Sequence, residues 1–213
     1  MAETPNSIQN EQLRLSALEA IRVEVPARKI LFAGKAEGFF DILPNTTDLT
    51  EEFLYAHQPV SGRTIPVYGP SIEPMGHLDE SEARQNEFAV LLGPVIVVAR
   101  KGYAGRLIVV TAKSLIVHED AYAIRPKSKY ADAINLEWFA GHYSAEFQAN
   151  RTALWGIGDF PRERFESMHV VIPHHDFQEA IAPMYARRRS LIERHRTLRE
   201  DVEANFRELL NRT

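Results

Sequence analysis

The feature that most limits the fold is a series of short, β-rich runs between residues 27 and 173. Each run is four to six residues long and mostly apolar, and glycine, proline and asparagine punctuate the series. Runs of this length are typical of strands, and few helical stretches separate them. The pattern therefore predicts an α+β domain whose strands are KILFAG, TIPVYG, FAVLLG, VIVVA, LIVV, SLIVH, AYAIRP and MHVVIP.

Three shorter stretches have helical spacing. Residues 7–22 carry apolar side chains at Ile8, Leu13, Leu15, Leu18 and Ile21, which predicts a helix that packs onto the domain. A second helix is predicted over residues 49–57. The third covers residues 135–149, with Asn135 as its N-cap and one face formed by Leu136, Phe139, Tyr143 and Phe147.

The segment from residue 176 to 212 predicts one long helix. Asp176 is followed three residues later by Glu179, a capping-box-like start. Pro183 lies inside the segment, so the straight portion is expected to begin after it. A heptad pattern runs through Phe177, Ile181, Met184, Arg188, Leu191, His195, Leu198, Val202, Asn205 and Leu209.

A helix of about 30 residues extends about 45 Å, which is longer than a domain of this size can cover. One face is therefore expected to pair with a partner helix, although a helix folded back on its own domain is the alternative. The residues expected to form the pairing face are Leu191, His195, Leu198, Val202, Asn205 and Leu209.

Composition narrows the functional class. The chain has 213 residues, 45% of them hydrophobic, and no apolar run reaches the roughly 20 residues that a membrane span needs. The N-terminus lacks the basic-then-apolar pattern of a secretory signal. The chain has no cysteine, which excludes disulfides and thiolate chemistry and fits a cytoplasmic protein.

No catalytic or metal-binding arrangement is found in the sequence. His118–Asp120 fits a turn at a strand end, and His174–His175 fits a polar linker that caps the long helix. GIGDF at residues 156–160 lacks the third glycine of a dinucleotide fingerprint. The acidic stretch at residues 77–87 is interpreted as a solvated loop. We therefore expect no enzyme activity, no metal and no cofactor.

Charge is distributed unevenly in this chain of net charge −4. Residues 100–129 hold seven cations and two carboxylates, a sum of +5, so the rest of the chain carries −9. Such segregation fits a face that approaches phosphates. The cations are Arg100, Lys101, Arg106, Lys113, Arg125, Lys127 and Lys129.

Three of these cations surround one turn between two β-runs, in the sequence ARKGYAGR. Gly102 and Gly105 permit a positive φ, so the turn can be tight and project outward, with Tyr103 at its tip. Arg100 and Arg106 could each donate to a guanine edge. The alternative is a solvated hairpin whose cations keep a sheet edge soluble. The residues alone do not decide between the two.

Three segments, in this order, resemble the target recognition domain of the DNA specificity subunits of type I restriction–modification systems. IPVYGPSIEPMGHLD is similar to a Pro-Val-Tyr-x-x-x-Gly region of one subgroup, and GPVIVVARKGYAG to an apolar strand followed by an Arg-x-Gly-x-x-Gly turn. GIGDFPRERFESMHVVIPHHDFQEAIA is similar to the junction into a long helix, with Gln178 and Ile181 at its Gln and Ile positions. The resemblance spans roughly residues 30–210.

The resemblance implies a subunit that binds double-stranded DNA and performs no chemistry. In that family each recognition domain reads one half of a split target, and long helices separate the halves. A methyltransferase subunit and a restriction/translocase subunit are the implied partners. The family's usual subunit has two domains and two helices, whereas this chain has one of each. It therefore resembles a half-size subunit that pairs with a copy of itself, or a fragment of a two-domain subunit.

The sequence thus predicts a target recognition domain over residues 1–175, with mixed and antiparallel strands, and a spacer and dimerisation helix over residues 176–213. A protein–protein adaptor with a helical tail and a small His/Asp-dependent hydrolase remain alternatives. The expected DNA-binding residues are Arg100, Lys101, Tyr103, Arg106, Lys113, Lys127, Lys129, Tyr68 and Ser71.

Overall fold

The computed structural model describes residues 23–59, 63–154 and 157–211. Each of the eight predicted β-runs contains a strand, and the α+β class with a long C-terminal helix is confirmed. The helix predicted over residues 7–22 lies outside the described residues. Within the described part of the chain, no helix is long and apolar enough to span a bilayer.

The described strands are β1 (Ile30–Lys35), β2 (Phe40–Leu43), β3 (Thr64–Tyr68), β4 (Gly76–Asp79), β5 (Val90–Leu92), β6 (Val95–Ala99), β7 (Leu107–Val110), β8 (Ser114–Val117), β9 (Ala121–Pro126), β10 (Thr152–Leu154), β11 (Ile157–Asp159) and β12 (His169–Pro173). The α-helices are α1 (Glu51–Ala56), α2 (Glu80–Gln85), α3 (Leu136–Ala149), α4 (Arg162–Ser167) and α5 (His175–Asn211).

Two four-stranded sheets form the centre of the fold. Sheet I has the order β2-β9-β6-β7 and is antiparallel throughout. Sheet II has the order β4-β3-β8-β5 and is mixed, because β3 and β8 run parallel. Two antiparallel pairs, β1 with β12 and β10 with β11, complete the described strands.

Burial of both faces of β6 explains why its sequence is an unbroken apolar run. Val95 and Val97 contact the apolar cluster between the two sheets, while Ile96 and Val98 contact the cluster beneath α3. All five residues of β6 are buried. A third cluster, which includes Leu54 of α1, lies on the far side of sheet II. The fold is therefore layered, with helices outside two stacked sheets.

The first turns of α5 pack on α3. Tyr185 is buried, and its ring lies so close to Gly141 that a Cβ at position 141 would collide with it. Ile192 is also buried. The folded-back alternative is therefore correct for the helix as far as residue 192. Beyond residue 194 the structure describes only the backbone of α5, so pairing through His195, Leu198, Val202, Asn205 and Leu209 stays a prediction.

Gln178 joins three elements at the start of α5. Its side chain is fully buried and accepts from the Asn135 amide at 2.8 Å, at the N-terminus of α3. Its Nε2 donates to the carbonyls of Ala133 (2.7 Å) and Pro173 (2.8 Å). One side-chain amide thus forms hydrogen bonds with three main-chain groups. Asn135 caps α3 as expected, accepting from the Trp138 amide at 2.8 Å.

Two sequence interpretations are wrong. Residues 77–87 are not a loop, because most of β4 and all of α2 lie there and bury Leu78 and Ala83. Asp176 is not an N-cap, because α5 already begins at His175; its carboxylate instead pairs with Lys29 at 2.8 Å, which lowers the pKa of Asp176. Pro183 lies inside α5, as expected, and the expectation that the straight portion begins after it stays a prediction.

Replacing Gln178 with alanine should destabilise the protein by about 2–4 kcal/mol, because two carbonyls and one amide lose their buried partner. Urea unfolding followed by circular dichroism measures the change. The matched control is Gln85→Ala, at an exposed position of α2, where a change within about 0.5 kcal/mol is expected. Equal effects of the two substitutions would contradict the role assigned to Gln178.

Candidate nucleic-acid interface

The register of sheet I fixes where the glycine-containing turn lies. Val98 pairs with Leu107 and Ala99 with Ala121, so residues 100–106 emerge beside the start of β9. The amides of Arg100 and Lys101 both donate to the Asp120 carbonyl, at 2.8 and 3.1 Å. The turn between β6 and β7 and the turn between β8 and β9 therefore form one surface.

Two further segments meet this surface. The β3–β4 loop approaches the turn, since a Cβ on Gly102 would lie 3.9 Å from the Pro70 ring. Strand β11 also reaches it, because Lys101 and Asp159 form an antiparallel bridge and the Phe160 amide donates to the Arg100 carbonyl at 2.8 Å. The loop end is the name used below for residues 69–75, 100–106, 118–120 and 158–160.

Each of the three segments that resemble type I specificity subunits contributes to the loop end. They are far apart in sequence, and the sheet pairings bring them together. Among the expected DNA-binding residues, the turn supplies Arg100, Lys101, Tyr103 and Arg106, while Ser71 lies in the β3–β4 loop and Tyr68 directly before it. Six of the nine expected residues are thus assembled at one place.

Glycine is required where the turn approaches α3. Gly102 and Gly105 both have positive φ, +64° and +83°, as expected from the sequence. A Cβ on Gly105 would lie 2.6 Å from the carbonyl carbon and oxygen of Phe147. The turn is therefore seated against the C-terminal part of α3, and this contact sets the position of its tip.

Two cations of the turn are held by carboxylates. Arg100 Nε lies 3.5 Å from Asp159 Oδ1, and Lys101 Nζ lies 2.7 Å from Asp120 Oδ1. The Asp120 carboxylate raises the pKa of Lys101, so that lysine is charged at neutral pH. All four side chains remain partly exposed. Sequence reasoning missed Asp120 and Asp159, and only the third resembling segment, which contains Asp159, could have drawn attention to one of them.

Tyr103 and Arg106 contact each other. The Arg106 guanidinium carbon lies 3.9 Å from the centre of the Tyr103 ring, a cation–π geometry. Arg106 is 8% exposed, whereas Tyr103 is 51% exposed. Arg106 is therefore placed to orient Tyr103 from below, and Tyr103 is the aromatic group that the turn presents to solvent.

A cleft of about 170 Å³ adjoins the loop end. Its lining includes Tyr68, Arg106, Gln148, Tyr185 and Arg188. Burial and the nearby carboxylate of Glu73 raise the pKa of Tyr68, so its hydroxyl is protonated.

In the Arg187–Arg189 run, Arg188 donates to the Gly141 carbonyl at 2.8 Å, and Arg189 pairs with Glu137 at 2.6 Å.

The remaining cations lie at the opposite end of the sheets. Lys113 precedes β8 where Ser114 pairs with Leu92, and Arg125 donates to the Leu92 carbonyl. Lys127 and Lys129 follow the end of β9. The length of β6, about 13 Å, separates this end from the turn. The expectation that all seven cations share one face is therefore wrong.

The two groups of cations also differ in their pairing. Among the residues whose side chains the structure describes, no carboxylate lies within ion-pair distance of Lys113, Arg125, Lys127 or Lys129. At the loop end, Glu73, Glu119, Asp120 and Asp159 offset the charges of Arg100, Lys101 and Arg106. Three cations against four carboxylates give the loop end a formal charge of −1, so ligand selection there depends mainly on directional contacts.

The chain shares its fold with S subunits of type I restriction–modification systems. The M. genitalium S subunit matches 86% of this chain and 44% of its own length, with a TM-score of 0.56 and 12% identity. The HsdS subunit from Thermoanaerobacter tengcongensis matches 96% of this chain and 49% of its own, with a TM-score of 0.54 and 12% identity.

A chain from a structure of type I R-M system assembly and conformational transition also matches, with a TM-score of 0.59 and 11% identity, over 96% of this chain and 50% of that one. This chain therefore spans about half the length of these proteins. No protein-family model and no curated protein matches it. The resemblance expected from the sequence is confirmed at the level of the fold.

Replacing Gly105 with alanine should destabilise the protein by about 2 kcal/mol or more, because the residue has a positive φ and its Cβ would collide with the backbone of α3. Chemical unfolding measures the change. Gly38→Ala is the control, since a Cβ there meets nothing within 4 Å, and it should change stability by less than about 1 kcal/mol. An unchanged stability of the Gly105→Ala variant would contradict the close packing of the turn against α3.

Proposed function

We propose that the chain is a sequence-specific double-stranded DNA-binding subunit, the half-size specificity subunit of a type I restriction–modification system, without catalytic activity of its own. The observation that supports this best is the meeting of the three resembling segments at the loop end, where Tyr103, Arg100, Lys101 and Ser71 reach solvent. The shared fold with S subunits supports it independently.

Arg100 has the geometry of a base-reading group. Its Nε atom faces Asp159, and among the described residues its two terminal nitrogens donate no hydrogen bond. Those nitrogens form the fork that matches the O6 and N7 atoms of guanine. We assign Arg100 to base contact in the major groove, Lys101 and Ser71 to phosphate contact, and Tyr103 to contact with a base or sugar.

Lys113, Lys127 and Lys129 are assigned no part in reading the half-site. A duplex that lies across the loop end leaves the opposite end of the sheets facing away from it. The proposed interface is therefore Tyr68, Ser71, Arg100, Lys101, Tyr103 and Arg106, with Tyr68 and Arg106 in supporting positions.

The half-size form is part of the proposal, and it agrees with a chain that spans about half the length of the matched S subunits. The chain supplies one β-rich domain, proposed as residues 1–175, and one spacer helix, proposed as residues 176–213, against proteins about twice its length. Met184 and Leu191 are exposed on α5, at positions of the predicted heptad. We propose that two copies pair through these helices and read a symmetric, bipartite target. A methyltransferase subunit and a restriction/translocase subunit would then complete the assembly.

Selection from a pool of random duplexes tests the DNA-binding proposal. The wild-type chain should enrich two inverted copies of one short motif. Arg100→Ala should reduce discrimination against the wrong base at one position of each half-site by about tenfold or more, and Lys101→Ala should weaken binding to all sequences while lowering the salt dependence.

Lys129→Ala is the matched control, because Lys129 is an exposed cation at the opposite end and should leave the selected motif unchanged. Absence of any enriched motif at low salt would refute DNA recognition. The adaptor alternative would then be favoured if the chain binds a protein through α5.

Replacing Leu191 with aspartate should weaken dimerisation by about tenfold or more, because a charge replaces an apolar side chain on the pairing face. Sedimentation equilibrium measures the dissociation constant. Ser190→Asp introduces the same charge at the neighbouring exposed position, off the heptad, and should have a small effect. A wild-type chain that stays monomeric at all concentrations would refute the pairing.

A further inference from the structure

The carboxylates of Asp120 and Asp159 occupy the proposed interface at a place where a phosphate binder would normally avoid negative charge. Each lies against one cation of the turn, with Oδ1–nitrogen distances of 2.7 Å for Asp120 and 3.5 Å for Asp159. In both residues the Oδ1 atom is screened from solvent. A carboxylate so close to a bound phosphate weakens binding to every DNA sequence, so its presence needs another explanation.

Both carboxylates are held in fixed positions by the backbone. The Asp120 carbonyl accepts from two successive amides of the turn, those of Arg100 and Lys101. The Asp159 carbonyl accepts from Thr152 Oγ1 at 3.0 Å, within the β10–β11 pair, and Asp159 is bridged to Lys101. The carboxylates therefore lie on rigid elements, while the cations that they hold are on long, rotatable side chains.

We infer that Asp120 and Asp159 are specificity-determining residues: they restrain Lys101 and Arg100 and cancel their charge towards non-cognate DNA. This inference rests on the proposed function. The Arg100 atom nearest the Asp159 carboxylate is Nε, 3.5 Å from Oδ1, and an ion pair at that edge limits the rotamers that the guanidinium can adopt. An unrestrained arginine could reach neighbouring phosphates instead and bind any sequence.

Charge cancellation also raises specificity, because it lowers the affinity for non-cognate DNA. Non-specific binding to DNA is almost entirely electrostatic. A reader that must find rare sites among many competing sequences is limited by the ratio of specific to non-specific affinity. Two carboxylates beside two cations reduce the electrostatic contribution, which all sequences share, and leave the directional contacts of Arg100 intact.

The experiment compares Asp159→Asn, Asp159→Ala and Asp120→Asn with the wild-type chain in two measurements. The first is duplex selection, and the second is equilibrium binding to a fixed 20-base-pair duplex that lacks the selected motif. We expect each variant to bind that duplex about three- to tenfold more tightly. The Asp159 variants should also lose preference at the base position that Arg100 reads.

Asp41→Asn controls for net charge. Asp41 is an exposed carboxylate on β2, opposite Arg125 of β9 in the strand register and so at the far end of sheet I, and its replacement changes the net charge by the same amount. It should alter binding to the motif-free duplex by less than about twofold. Thermal unfolding of each variant identifies any that do not fold, and the milder Asp159→Asn retains an oxygen acceptor where Asp159→Ala does not.

Two outcomes would overturn the inference. One is an unchanged motif and unchanged non-specific affinity in folded Asp159→Ala and Asp120→Asn proteins, while the wild-type chain still selects its motif. The other is tighter non-specific binding of equal size in Asp41→Asn, which would reduce the effect to net charge. Failure of the wild-type chain to select any motif would refute the proposed function instead, so the two failures are distinguishable.

Discussion

Burial of β6 on both faces is the constraint on which the rest of the structure depends. Val95 and Val97 must face sheet II while Ile96 and Val98 face α3, and a slip of one residue would exchange the two sets. The register of β6 with β7 and β9 is fixed by this requirement. That register in turn places the turn at residues 100–106 beside Asp120 and assembles the loop end. The candidate site is thus positioned by the packing of apolar residues that take no part in it.

Much of the fold could be predicted from the sequence because its strands are short apolar runs between turn residues. The predicted runs VIVVA, LIVV and AYAIRP coincide with β6, β7 and β9. Strands β2, β4, β10 and β11 were missed because they are three or four residues long and each contains polar residues or glycine, so none forms an apolar run. The grouping of the cations was wrong for a different reason. Antiparallel strands reverse direction, so Lys113 and Lys127, near the turn in sequence, lie at the other end of the sheet.

The loop end shows why charge counted along a chain is a poor guide to a surface. The surplus of +5 over residues 100–129 predicted a face that attracts phosphates. In the structure, Asp159 comes from outside that interval and pairs with Arg100, while Asp120 pairs with Lys101. What remains is a surface of modest charge with an exposed aromatic ring and a directed guanidinium. Such a surface discriminates between ligands better than it attracts them.

The helix α5 has two parts with different environments. Up to Ile192 its inner face belongs to the domain core, where Gln178 bonds three main-chain groups and Tyr185 packs against Gly141. These contacts anchor the first turns of the helix to α3 and to the end of β12. If a second copy pairs along the outer face, marked by Leu191, as proposed, this anchored part of the helix would contribute to the separation of the two loop ends. Gln178 lies outside the proposed interface, so its influence on the spacing of a bipartite target would be indirect.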